Sequence, residues 1–419
     1  MNQNENPSPV PSHPPDQQSA AAERQPSAPE ASATAKTRNQ RADIDFAEYI
    51  PTGPAPTEDA RYRYEELTEA NAPAVNALYQ EVFREERSAA HYRWKFLDDQ
   101  HRPGLATVGV EKATGRVVGV NNGRPRRFRV AGHDFEFLQV CETATAPDAR
   151  SLSLFRKVTF GVALQARDRG VRFAYGGRTS EAAARLGAKV FRYRTLFELP
   201  TWERRLRLRA AFRRRFGRFW GTLFAALGDR FRRVAPAAEE QGWEFMRVEG
   251  FGPEFDRLWG RLRDRYRVAA VRDARALDYR YTQCPVGEHR VWLARSGGEA
   301  AGFVVVRLWQ RDGVRLATAL DWLAGRDERL LRALFSRACR DAADCGADFF
   351  HVAALPDSPA GRALAGLPGC RVSRREPLDR VVCCMLPFCG EPGEDKATLL
   401  EAYDPEAWHY TQGDSDFHD

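Results

Sequence analysis

The sequence predicts an α/β fold with mixed (α+β) sheets, built as two successive units behind a tail without fixed structure. Three observations carry this. A strand–turn–helix–strand run spans Phe137 to Tyr175, a similar run recurs about 180 residues further on, and the N-terminal stretch is rich in proline but lacks aromatics. The chain has 419 residues and 43% apolar content, enough to bury two ordinary cores.

Before Phe46 there is no aromatic residue, while Pro7, Pro9, Pro11, Pro14, Pro15, Pro26 and Pro29 interrupt any regular element. Such a segment buries too little surface to offset its ordering entropy, so residues 1–45 are expected to be disordered. Residues 46–200 and 241–390 are expected to form the two units, 201–240 a basic connector and 391–419 a C-terminal tail. In the first unit, Tyr62 to Phe83 reads as a strand and a helix carrying Tyr64, Leu67, Ala74, Leu78, Tyr79 and Phe83 as apolar positions. Strands around Ala106–Glu111 and Val117–Gly123 flank a Gly115-Arg116 turn.

The next strand alternates Phe137, Gln139 and Cys141 with Leu138, Val140 and Glu142, and stops at Pro147-Asp148. Leu154, Phe155, Val158, Val162 and Ala166 then repeat at helical spacing until Gly170, and Val171–Tyr175 reads as a short parallel strand. A loop joining a strand to a helix N-terminus suits a phosphate, because unpaired backbone N–H groups and the helix dipole point at it.

This order resembles the core of the GNAT acetyltransferases, whose pyrophosphate loop reads Arg/Gln-x-x-Gly-x-Gly/Ala. Here the loop is Arg150-Ser151-Leu152-Ser153-Leu154-Phe155, with Arg150 at the first position and Ser153 and Phe155 at the two glycine positions. His91–Phe96 resembles an aromatic-basic segment of larger bacterial GNAT proteins, and Trp408–Asp416 the endings of those in cell-envelope and polysaccharide pathways. The resemblance implies an N-acyltransferase that uses acetyl-CoA or another acyl-CoA and a small amine acceptor. It implies that the pantetheine arm pairs with the backbone of Thr143, Ala144 and Thr145. The pyrophosphate would then rest on the N–H groups of Ser151, Leu152, Ser153, Leu154 and Phe155, beside Arg150. Glu142 is the candidate base. The tyrosine that serves the family as general acid is replaced by Ala183, with Tyr175 and Tyr193 nearby; His409 and Asp414 are not favoured as catalysts.

The second unit echoes the first. Leu277–Tyr281 matches Tyr92–Phe96, Ala301–Phe303 matches Val118–Val120, and Leu320-Asp321 matches Cys141-Glu142. Leu330, Leu331, Leu334, Phe335, Ala338 and Ala342 give an amphipathic helix that ends at Cys345-Gly346, before an Asp348–Val352 strand. Its loop carries Asp327 and Glu328, which would repel a pyrophosphate, so the coenzyme is expected in the first unit.

The eight cysteines form no C-x-x-C pair; buried thiols are favoured over a metal cluster of Cys383, Cys384 and Cys389 with His351. No apolar run reaches the length of a membrane span and no secretory signal is visible, which favours the cytoplasm. The formal charge of +7 is concentrated in Arg204–Arg233, where Phe212, Phe216, Phe219, Trp220 and Leu223 face away from the arginines. An interdomain connector is the favoured reading there, followed by a helix lying on the inner membrane face, with nucleic acid last. Two alternatives to the acyltransferase stay open: an aminoacyl transferase of Fem type, and a GNAT-fold protein that binds without catalysing.

Overall fold

In the computed structural model the structure describes residues 53–85, 87–97, 103–191, 193–207, 242–373, 379–385 and 398–416. The expected tail 1–45 lies outside these residues, as do Cys389 and the connector from residue 208 to 241. Among the described residues no helix is long and apolar enough to cross a membrane.

The first half begins with β1 (Tyr62–Glu66), α1 (Ala72–Phe83) and α2 (Ala89–Phe96). Then come β2 (Leu105–Glu111), β3 (Val117–Val130), β4 (His133–Thr145), α3 (Leu152–Asp168), β5 (Phe173–Gly176), α4 (Glu181–Phe191) and β6 (Arg194–Leu199). β1 to β4 pair antiparallel in sequence, and β5 lies parallel to β4. The expected strands are present, but β3 and β4 extend further as a long ribbon whose end pairs with β9 (Val268–Ala270). The buried face of α3 carries Leu154, Val158, Val162 and Ala166 as the spacing predicts, and Gly170 follows with a φ of 80°. Leu154 packs where Gly109 and Gly119 leave room; a Cβ on Gly109 would stand 2.8 Å from its methyl group.

The second half repeats this order: β8 (Glu244–Val248), α5 (Pro253–Leu262), β9, α6 (Ala274–Leu277), β10 (Glu288–Ser296), β11 (Glu299–Arg311) and β12 (Val314–Leu323). α7 (Glu328–Asp344), β13 (Phe349–Ala353), α8 (Pro359–Ala365) and β14 (Cys370–Val372) follow, with β13 parallel to β12. Two residues that the sequence reading set as equivalents, Trp94 and Tyr279, are in contact. The Trp94 and Tyr279 rings stack 5.5 Å apart. Trp94 Nε1 donates to the Tyr279 carbonyl at 3.0 Å, and the Tyr279 hydroxyl donates to the Trp94 carbonyl. Such reciprocity is the mark of an isologous interface, here inside one chain.

The halves differ from the expected boundaries because they exchange strands. β7 (Thr201–Arg205), placed by the sequence reading in the connector, pairs with β13 and β14 in the second sheet. β15 (Asp379–Met385), placed in the second unit, inserts between β5 and β6 of the first sheet. Alternation reports that a segment is a strand; it carries no information on which of two similar sheets receives it.

The C-terminal segment is built into the fold. β16 (Trp408–His409) pairs with β9, and Thr411, Gln412, Asp414 and Ser415 are buried. Asp414 takes Arg272 of the second half at 2.6 Å, while its carbonyl accepts from Gln139 Nε2 and the Tyr175 hydroxyl of the first. Arg272 also donates to Asp321 at 2.8 Å, so one buried guanidinium joins the segment to β12.

Candidate active site

A strand edge that could take an extended ligand lies where β4 and β5 part. Their parallel pairing covers Phe137–Gln139 against Phe173–Tyr175 and ends there. Beyond Gln139 the β5-facing edge of β4 runs on through Val140–Thr145 without a strand partner among the described residues. An unpaired strand edge offers N–H and C=O groups to an added strand-like ligand.

A bulge in β4 shapes this edge. Asn122 lies opposite Cys141 and Val120 opposite Ala144, so an extra β4 residue is accommodated at Glu142–Thr143, where Glu142 has a φ of 48°. Asn122 Nδ2 donates to the Glu142 carbonyl at 3.2 Å and the Thr143 hydroxyl to Asn121 Oδ1 at 3.2 Å, which holds the bulge.

The loop then leads to the N-terminus of α3. Ser151 is the N-cap, and its hydroxyl accepts from the Leu154 N–H at 3.2 Å. The Phe155 N–H bonds the Ser151 carbonyl, and the Leu154 side chain is fully buried. Of the five expected N–H donors, Leu154 and Phe155 are therefore already engaged. Helix geometry leaves those of Ser151, Leu152 and Ser153 toward solvent, all three residues being exposed. Arg150 is exposed beside them and forms no ion pair among the described residues. Ser153 at the glycine position thus faces open solvent.

Glu142 stands differently from a free base. It accepts from Lys95 Nζ at 2.6 Å and from Arg87, and all three side chains are buried. Burial alone would raise its pKa, but Lys95 and Arg87 together hold the carboxyl below its ordinary value. A carboxylate with both oxygens engaged by cations is a weak proton acceptor; the arrangement suits a counter-charge that fixes β4 against α2. Asp321 repeats the pattern with Arg272 and the Tyr281 hydroxyl, the latter at 2.9 Å.

Ala183 is exposed on α4, so no phenol occupies the family's acid position. Tyr175 is buried and spent on the Asp414 carbonyl. Tyr193 packs on Gly187. His409 is half-buried, bonded to the Trp322 carbonyl at 2.9 Å, and its pKa is pushed down to about 3 by desolvation and by Arg272. Seven described cysteines are free, and no group that could hold a metal ion occurs among the described residues.

Sequence reasoning missed Asp379 at the start of β15. Its Oδ1 accepts from the Arg178 N–H at 2.7 Å, just past the end of β5, while its buried Oδ2 has no partner among the described residues. Burial, reinforced by Asp416 and Asp414, pushes its pKa up to about 6. Nothing in the sequence near Asp379 signals this, because the strand exchange brings it there.

Two outcomes follow from these environments. Glu142→Gln leaves Arg87 and Lys95 buried without a counter-charge and should cost about 3–5 kcal/mol in urea unfolding at pH 7. Because the Glu142 pKa is depressed, the wild-type advantage is present above the ordinary carboxyl range and disappears as pH falls through the folded value. Asp379 has the opposite sign. Its raised pKa makes stability fall as pH rises through about 4 to 6. Asp379→Asn, which keeps the acceptor for Arg178, should gain up to about 3 kcal/mol above pH 6 and little at pH 4.

Residues 63–184 match the acetyltransferase (GNAT) domain family. No curated protein matches the chain in sequence. Among solved structures, it is similar to a GCN5-related N-acetyltransferase from Anabaena variabilis, at 11% identity over 78% of this chain and 73% of that one, with a TM-score of 0.56. It is also similar to a GCN5-related N-acetyltransferase from Kribbella flavida, at 17% identity over 79% and 72%, TM-score 0.53. A third is the N-myristoyltransferase of Saccharomyces cerevisiae with bound myristoyl-CoA, at 12% identity over 81% and 86%, TM-score 0.54. The mixed α/β sheets thus have GNAT-fold neighbours, and a GNAT acetyltransferase domain accounts for β1 to the first turn of α4.

Proposed function

We propose that this chain is an acyl-CoA-dependent N-acyltransferase built from two GNAT-like halves, with the coenzyme in the first. The observation that carries the reading is the unpaired edge of β4 at Val140–Thr145, which runs directly into the open N-terminus of α3. Pantetheine would pair along Thr143, Ala144 and Thr145. The pyrophosphate would sit on the N–H groups of Ser151, Leu152 and Ser153 with Arg150 as its charge partner. The match of residues 63–184 to the acetyltransferase (GNAT) domain and the fold shared with the acyltransferases above support the acyl-CoA transferase class.

In the reaction, an amine nitrogen attacks the thioester carbonyl, the C–N bond forms, the C–S bond breaks and the CoA thiolate leaves. Backbone donors on the β4 edge polarise the carbonyl. The thiolate needs no acid at the position of Ala183, since a thiolate is a far better leaving group than an alkoxide or amide anion. Glu142 acts by position: paired with Lys95 and Arg87, it holds the bulge that presents Thr143 to the ligand. The amine proton passes to water. Acetyl-CoA is the donor we assign, with a small metabolite, sugar or amino acid as acceptor and the cytoplasm as location.

A second reading, binding without turnover, is favoured by the engaged Glu142 and by Ala183. One titration separates the two. Acetyl-CoA titrated calorimetrically into the full chain should bind at micromolar concentration and bind no longer to Ser153→Trp. Release of free thiol on an amine panel then supports the transferase, and tight binding without release supports the second reading. Absence of binding at millimolar acetyl-CoA contradicts both.

A further inference from the structure

A cavity of about 470 Å³ lies where β12 and β13 part, closed on its other sides by Phe197 and Leu199 of β6 and by the C-terminal segment at 405–410. It occupies the place that the coenzyme cleft holds in the first half, but the coenzyme's two anchors are taken by the chain itself. At the head of α7, Asp327 Oδ1 accepts from the N–H groups of Arg329 and Leu330, at 2.9 and 3.1 Å, where a pyrophosphate would sit. The Trp322 carbonyl, on the β12 stretch equivalent to Thr143, is bonded by His409. Neither a pyrophosphate nor a pantetheine arm finds these anchors open there.

The walls are aromatic and apolar: Trp322, Tyr410 and a Tyr266–His409 stack at 4.3 Å, with Leu331 and Leu355. Burial keeps the His409 ring neutral. Charge is confined to the other lining residues. Arg267 is neutralised by Glu401 and Asp404, and Arg362 by Glu328 at 2.6 Å. Arg326, exposed and in a left-handed turn at φ 70°, forms no ion pair among the described residues, and neither do the exposed Asp357 and Glu406. One guanidinium and two carboxylates thus remain uncommitted around an aromatic-walled cavity, whose volume lies within the about 300–1,000 Å³ of small-molecule sites.

We propose that this cavity binds a zwitterionic small molecule with an aromatic body, of the class of free aromatic α-amino acids. Its carboxylate pairs with Arg326, its ammonium faces Asp357 and Glu406, and its ring lies among Trp322, Tyr266 and His409. The β4 edge does not line this cavity, so the site is separate from the acyl-transfer cleft and its ligand stands or falls independently of that reading. The segment that lines it through Trp408–Tyr410 continues to Asp414, which bridges the halves; occupancy therefore stabilises the joint.

The test is calorimetric titration of L-phenylalanine into the full chain, with 3-phenylpropionate and phenethylamine as probes lacking one charge each. Saturable one-to-one binding is expected, with a rise in Tm, at least tenfold weaker for either single-charge probe and for Arg326→Gln. Leu355→Trp, which fills the cavity from a half-buried position, should abolish it, and its circular dichroism reports whether the fold is intact. Absence of heat at millimolar phenylalanine overturns the proposal. Equal binding of a single-charge probe, indifference to Arg326→Gln, or competition with acetyl-CoA does so too.

Discussion

A strand inside a sheet needs partners on both of its edges, and here each half supplies one for the other. β15 fills the gap between β5 and β6, and β7 the gap between β13 and β14. The crossing takes one residue: Pro200, which lacks an N–H and so cannot continue a ladder, separates β6 in one sheet from β7 in the other. Neither sheet is complete without the other half. The cleft beside β5 therefore depends on a strand encoded about 200 residues later. The Asp379 carboxyl beside Arg178 is a direct consequence of that exchange.

On this shared frame, corresponding positions of the two halves stand in different surroundings. Both contain a bulge opposite the same part of the neighbouring strand, and both hold an acid there against an arginine: Glu142 with Arg87, Asp321 with Arg272. The repeated acid argues for a structural origin of the pair. What differs is the opening. The head of α3 is capped by a serine and faces solvent with Arg150 beside it; the head of α7 is capped by a carboxylate. The β12 edge is met by His409, while the β4 edge has no strand beside it among the described residues. On the proposed reading, electrostatics and occupancy together direct an anionic coenzyme to the first half and leave the second to a ligand of another kind.

The sequence revealed these elements unevenly, for physical reasons. Local periodicity was enough for β4, α3 and α7, since alternation at Phe137–Glu142 and helical spacing from Leu154 to Ala166 are set by which face is buried. The echo of Tyr92–Phe96 in Leu277–Tyr281 was readable as a repeat, although not as the contact between its two copies. Partners distant in sequence stayed hidden. Arg87 and Lys95 reach Glu142 across 55 and 47 residues, and nothing local in Glu142 distinguishes a free base from a neutralised counter-charge. The destination of β15 was likewise hidden, because Asp379–Met385 would suit either sheet.

The central claim is that the coenzyme lies along β4 and the head of α3 and nowhere in the second half. Amide hydrogen exchange of the full chain with and without acetyl-CoA tests it most directly. The account predicts slowed exchange at Thr143–Ser153 with no change at Leu320–Leu331. Protection of the Leu320–Leu331 stretch, or exchange unaltered at Thr143–Ser153 under saturating coenzyme, would contradict it.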